Sequence, residues 1–220
     1  RIAPPDKRPE QYGGEDSEEW KSLKAEYKEK LQRSAWLAYP QFFGYKPSKP
    51  ESSRNPLRKL DGKSDYYIYF YLHGLSLLNE KGSFCFITSN SWLDVGFGKD
   101  LQEFLLKHSH VKLILDNKAK RSFAQADVNT IIALLAPPSR YPLPEDAMAN
   151  RSARFVMFKV PFEDVMHPVI WMEVEEAKDH LERPEFRIIA KNQAELYREG
   201  LEQPEEEETT QGESARLFIH

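Results

Sequence analysis

Residues 64–136 read SDYYIYFYLHGLSLLNEKGSFCFITSNSWLDVGFGKDLQEFLLKHSHVKLILDNKAKRSFAQADVNTIIALLA, and the fold is decided there. The hydrophobic period changes four times along this run, each time at a turn signal, giving helix, strand, helix, strand, strand. In 65–78, Tyr66, Tyr69, Phe70, His73 and Leu77 lie near one face of a helix, and Ile68, Leu72, Leu75 and Leu78 lie on the next. So wide an apolar surface suits a helix packed on a sheet. After Asn79 to Gly82, the unbroken run 83–88 (SFCFIT) predicts a parallel strand covered on both faces. Ser89, Asn90 and Ser91 follow at its carboxyl end, then Trp92 and the Gly96-Phe97-Gly98 link. Leu101, Phe104 and Leu105 recur at helical spacing in 99–107, 111–116 (VKLILD) is a strand ending in Asp116, and 128–136 is a third strand stopped by Pro137-Pro138. The fold class is α/β.

Working outward, Ser17 reads as the N-cap of a helix over 17–37, with Glu18 and Glu19 in its first turn and Trp20, Leu23, Tyr27 and Leu31 along one face. Residues 1–16 are proline- and glycine-rich loop. Residues 39–63, with four prolines and several lysines and arginines, predict a mobile basic loop of about 25 residues. On the other side, 153–158 reads as an edge strand, 162–181 as a helical stretch broken at Pro168, 186–190 as a strand, and 192–201 as a short helix closed by Gly200. The run PEEEETT at 204–210 is a solvated tip.

The chain has 220 residues and a formal charge of −4, enough for one ordinary core. Its single cysteine, Cys85, lies inside an apolar strand and reads as a buried thiol of a reducing compartment. No apolar run approaches the ~20 residues that span a bilayer, so the expectation is a soluble, cytoplasmic protein with no membrane partner. The six histidines are scattered without metal-ligand spacing, and no metal site is expected. Gly96-Phe97-Gly98-Lys99 lacks the spaced glycines and the Ser or Thr of a phosphate loop.

The succession DYYIYFYLHGLSLL, GSFCFITSNSWL, VKLILD and RSFAQADVNTIIALL resembles the carboxyl half of the catalytic domain of gamma-class adenine-specific DNA methyltransferases, above all the type IIG-like branch of fused restriction-modification enzymes. The resemblance spans about 64–135. It implies a partial Rossmann-like methyltransferase sheet, its later strands only and the last one antiparallel, with flanking helices and a C-terminal α+β extension. It divides the chain into a variable insertion (1–63), the carboxyl half of the catalytic domain (64–138) and an extension toward a target-recognition region (139–220). The implied activity is transfer of a methyl group from S-adenosylmethionine to N6 of a flipped-out adenine in double-stranded DNA.

Site residues follow from matching words. Phe70 corresponds to the family aromatic against the adenine ring of S-adenosylmethionine. Phe123 corresponds to the loop aromatic that stacks on the extruded base, which cannot meet a methyl donor inside the duplex. Lys118, Lys120 and Arg121 would face phosphates, and Ser89, Asn90 and Ser91 would form the rim of the cleft, where open α/β sheets bind ligands. Trp92 is expected to pack beneath that rim.

The family's Asn-Pro-Pro-Tyr tetrapeptide and its Gly-rich first turn are absent from the 220 residues, so no catalytic residue is assigned. The chain, starting at Arg1 and not Met, is therefore expected to be a fragment, inactive alone, whose parent carries those motifs and possible fused nuclease and target-recognition domains. Two other readings stay open at this point: a non-catalytic α/β scaffold or protein-interaction module, and methylation of RNA or protein.

Overall fold

A computed structural model describes residues 2–50, 54–94, 96–117 and 129–201. They fall into two compact units, Arg1–Ser76 and Leu77–His220.

In the first unit, a 3-10 turn over Pro9–Tyr12 leads to α1 (Glu18–Ala38), whose N-cap Ser17 accepts the Trp20 N–H at 3.1 Å, as predicted. Trp20 is buried, and Leu23, Tyr27 and Leu31 are half-buried. The described part of 39–63 is irregular, as its prolines predict, apart from one short helix and a few buried side chains. Pro40 starts a short helix, α2 (Pro40–Phe43), and Phe43, Tyr45 and Leu60 are buried. The Gln32 amide of α1 clasps Leu60, donating to its carbonyl (2.7 Å) and accepting its N–H (3.1 Å). The predicted aromatic helix is α3 (Tyr66–Ser76), which buries Ile68, Tyr71, Leu72 and Leu75. The Tyr39 hydroxyl donates to the Leu72 carbonyl at 2.9 Å, and burial pushes that phenol well above its usual range.

The second unit is built on one six-stranded mixed sheet of order β1-β3-β2-β4-β6-β5. Its strands are β1 (Phe84–Ser89), β2 (Val111–Asn117), β3 (Thr130–Leu135), β4 (Ser152–Phe158), β5 (Leu181–Glu182) and β6 (Phe186–Asn192). β3 is antiparallel to both β1 and β2, with Ser89 opposite Thr130 and Asp116 opposite Ile131, so β1 and β2 run parallel on either side of it. That is the expected antiparallel last strand. The crossover from β1 to β2 is α4 (Lys99–His108), whose Leu101, Phe104 and Leu105 are fully buried.

Two expectations about the strands are corrected. β1 is not covered on both faces: among the described residues it is an edge strand with a single partner, its exposure alternates, and Cys85 is exposed rather than a buried thiol. An unbroken apolar run looks doubly buried in sequence, but the side chains of an edge strand still alternate, and Cys85 and Ile87 fall on the open face. Conversely, β4 is no edge strand; it pairs parallel with β2 and, along all seven of its residues, antiparallel with β6. The sheet ends at the two-residue β5 instead.

Helices α5 (Glu145–Ala149), α6 (Pro168–Glu176) and α7 (Gln193–Gly200) complete the unit. Pro168 does not break a helix but begins α6, where its missing N–H costs nothing. Val174 of α6 packs with Leu115, Val156, Phe158, Phe186 and Ile188 of the sheet in one apolar cluster. α7 opens at Asn192, whose side chain accepts the Glu195 N–H at 2.9 Å. Among the described residues no helix is long and apolar enough to cross a membrane.

Candidate functional site

The carboxyl ends of β1, β2 and β4 share one rim, because β1 and β2 flank the antiparallel β3 and β4 runs parallel to β2. At the end of β1 the chain turns into a 3-10 helix, Asn90–Leu93. Ser89 caps it, its hydroxyl accepting the Ser91 N–H at 3.2 Å and lying 2.7 Å from the Ser91 hydroxyl. The Asn90 N–H donates to the Asn129 carbonyl at 3.0 Å, which fastens the turn to the entry of β3. The three predicted rim residues are thus brought together, with their polar groups half-buried at one end of the sheet.

What holds this turn is buried beneath it. Trp92 is wholly enclosed, as expected. Gln102, 1% exposed, donates from Nε2 to the carbonyls of Trp92 (2.6 Å) and Leu93 (3.2 Å). Of the two glycines in Gly96-Phe97-Gly98, Gly98 is required by packing: a Cβ there would stand 1.9 Å from the Trp92 carbonyl oxygen, so only glycine lets the start of α4 pass against the rim turn, whereas a Cβ on Gly96 would meet nothing. Gly98 is a packing glycine, and neither it nor Gln102 or Asn129 carries a local pattern that marks it as a support for the rim in sequence.

Asn117, at the end of β2, and Asn129, before β3, stand at this same rim. The residues between them include Lys118, Lys120, Arg121 and Phe123, all of which lie outside the described residues.

Phe70 belongs to the other compact unit. It is 56% exposed and stacks on Tyr66 with centroids 6.3 Å apart and planes 20° from parallel. An ordinary core aromatic would be enclosed like Tyr71 of the same helix. An aromatic ring open to solvent can stack on another planar ring. Among the described residues no group of three or more His, Cys, Asp or Glu side chains could hold a metal ion.

Comparison with known proteins bears on the same segment. Residues 41–123 match the family model of the Eco57I restriction-modification methylase, a span that takes in α3, β1, α4 and β2. No curated protein matches the chain. Among solved structures, a modification subunit of a putative type I restriction enzyme from Vibrio vulnificus YJ016 is 13% identical, with a TM-score of 0.43 over 77% of this chain and 33% of that one. The type I restriction enzyme EcoKI M protein is 14% identical, with a TM-score of 0.36 over 52% and 25%. The type IIG restriction endonuclease BpuSI is 11% identical, with a TM-score of 0.49 over 76% and 17%. The chain spans a third or less of the length of each.

Proposed function

We propose that these 220 residues belong to a site-specific DNA methyltransferase of a restriction-modification system, which methylates N6 of an adenine flipped out of double-stranded DNA. The observation that supports this most is the restriction-modification methylase match over 41–123, a span that ends at Phe123. S-adenosylmethionine, when bound, supplies an electrophilic methyl group to the exocyclic amine, with no covalent enzyme intermediate.

On this reading Phe70 offers its open ring face to the purine of the cofactor, and Ser89, Asn90 and Ser91 line the cleft at the end of β1. Phe123 stacks on the extruded base, excluding water from one of its faces, while Lys118, Lys120 and Arg121 hold the neighbouring phosphates. The amide that orients the target amine lies in the tetrapeptide that these residues lack, so the chain alone neither binds the cofactor tightly nor methylates, and its parent does both. Residues 1–63 serve as an insertion, 64–138 as the later half of the catalytic domain, and 139–220 as the approach to a target-recognition region, with a fused nuclease as a further partner.

The experiment is Phe123→Ala in the parent enzyme, with base extrusion followed by the fluorescence of 2-aminopurine at the target position. Loss of one base-aromatic stack, ~1–3 kcal/mol, should weaken base capture about 5- to 150-fold and leave cofactor affinity within twofold. Equal losses of both would overturn the stacking role. Micromolar binding of S-adenosylmethionine by residues 1–220 in calorimetry would overturn the division of labour between chain and parent.

A further inference from the structure

The first unit holds a cavity of about 600 Å³ at the foot of α3, and four of its nine lining residues are lysines. Lys21, Lys24 and Lys28 enter it from α1 and Lys63 from the segment before α3, against one carboxylate, Asp65. The α1 lysines follow i, i+3, i+7 spacing, so they form one row on one face of the helix. That row is about 10 Å long at 1.5 Å per residue.

The groups are held in place. Lys28 donates to the Gly62 carbonyl at 3.2 Å, Lys24 lies 5.7 Å from the centre of the Trp20 ring, and Lys21 pairs with Glu18 at the outer end of the row at 2.9 Å. Asp65 is partly spent on α3 itself, accepting the Tyr66 N–H at 2.7 Å. Ser64 also lines the cavity. It is 4% exposed, and its hydroxyl has no hydrogen-bond partner among the described residues. A buried hydroxyl without a partner is costly unless something supplies one. The rest of the lining, Ile2, Ala25 and Gly62, offers neither an aromatic face for stacking nor an amide to read a base edge.

We infer that this groove binds the phosphodiester backbone of duplex DNA, independently of sequence. The three α1 lysines follow successive phosphates, Lys63 closes the far side, and the Ser64 hydroxyl donates to a phosphate oxygen. A row of cations on a rigid helix matches a repeating linear anion better than a compact one. The inference rests on the proposal that the parent acts on DNA, and it assigns a second contact surface remote in sequence from Lys118, Lys120 and Arg121.

The test measures binding of the full 220-residue chain to a fluorescent 25-base-pair duplex across a salt series. It compares wild type with K21Q/K24Q/K28Q and with Ser64→Ala, after thermal melts establish that each variant folds. Because each neutralised phosphate contributes about −0.9 to the slope of log K against log salt, the triple variant should lose roughly 2 to 3 from that slope and at least tenfold in affinity at ~0.1 M salt. Ser64→Ala removes a neutral donor, so affinity should fall a few-fold at an unchanged slope. An unchanged slope in the folded triple variant, or no salt-dependent duplex binding by wild type, overturns the groove assignment. Full displacement of duplex by millimolar inorganic phosphate would reassign it to a compact anion and equally overturn it. Methylation by the parent is scored separately, so the groove can fail while the methyltransferase proposal stands.

Discussion

The two ends of α4 are each secured by a buried glutamine, and the contrast between them separates what holds the fold from what shapes the rim. Gln102, inside α4, reaches back to the carbonyls of Trp92 and Leu93, nine and ten residues away. Gln193, the first residue of α7 and 0% exposed, reaches the opposite end. Its amide donates to the carbonyls of Leu106 (2.8 Å) and Ser109 (3.1 Å) and accepts the Val111 N–H (3.0 Å), residues 82 to 87 positions away in the chain. A helix leaves its last carbonyls without intrahelical partners. At the carboxyl end of α4 a distant element supplies one, together with a partner for the strand that follows. The chemistry of the two amides is the same, but one closes a local turn and the other ties three elements into a single unit.

Gln193→Leu is therefore expected to have the largest effect. It leaves the Leu106 carbonyl and the Val111 N–H buried without this partner, while the Ser109 carbonyl keeps the Arg151 guanidinium at 3.0 Å. The loss should be ~3–4 kcal/mol in urea unfolding, with hydrogen exchange at the Val111 amide accelerated. Gln102→Leu should cost less, ~2 kcal/mol, and its acceleration should be confined to the rim turn, including the Asp94 amide, which donates to the Ser91 carbonyl. Equal losses, or exchange that spreads across the unit in both variants, would break the distinction between a global tie and a local one.

Neither amide was legible in the sequence, and the reason is physical. Period and turn signals report local geometry, which is why α1 with its Ser17 cap, α3, β1, α4, β2 and β3 were all readable from residue spacing. Pairing is a property of distant segments. Nothing within 153–158 shows that β6 will cover its second side, and nothing within SFCFIT shows that only β3 will pair with it, so β4 read as an edge and Cys85 as buried. For the candidate site, the cluster of Ser89, Asn90 and Ser91 was visible because it follows directly on a strand. Its supports, Gln102, Gly98 and Asn129, look ordinary until β3 and α4 bring them beneath the turn. Similarly, Lys21, Lys24 and Lys28 pass for the solvated face of an amphipathic helix until Lys63 and Ser64 are set across from them.

The smallest expected effect gives the carboxyl end of α4 a pH dependence that stems from its own histidine. His110 follows α4 directly, half-buried, and its Nε2 lies 2.9 Å from the Ser152 carbonyl oxygen, so Nε2 must carry a proton and donate. Burial holds its pKa below the usual 6.5, and the nearby positive charges of Arg151, Lys112 and Arg154 act in the same direction, while the bond to Ser152 opposes them. The folded protein thus resists a second proton that the unfolded chain takes up near its ordinary pKa. With more protons bound in the unfolded state, stability rises with pH across this window. The contribution is complete above about pH 6.5 and is lost as pH falls toward the depressed value in the folded state. His110→Gln keeps a donor for Ser152 and removes the titration. Thermal melts of both proteins at pH 7.5 and pH 5 should show the wild type losing more of its midpoint on acidification than the variant. Parallel losses would mean that His110 adds nothing to the pH response, leaving Gln193 as the feature that sets this end of α4 apart from the rim.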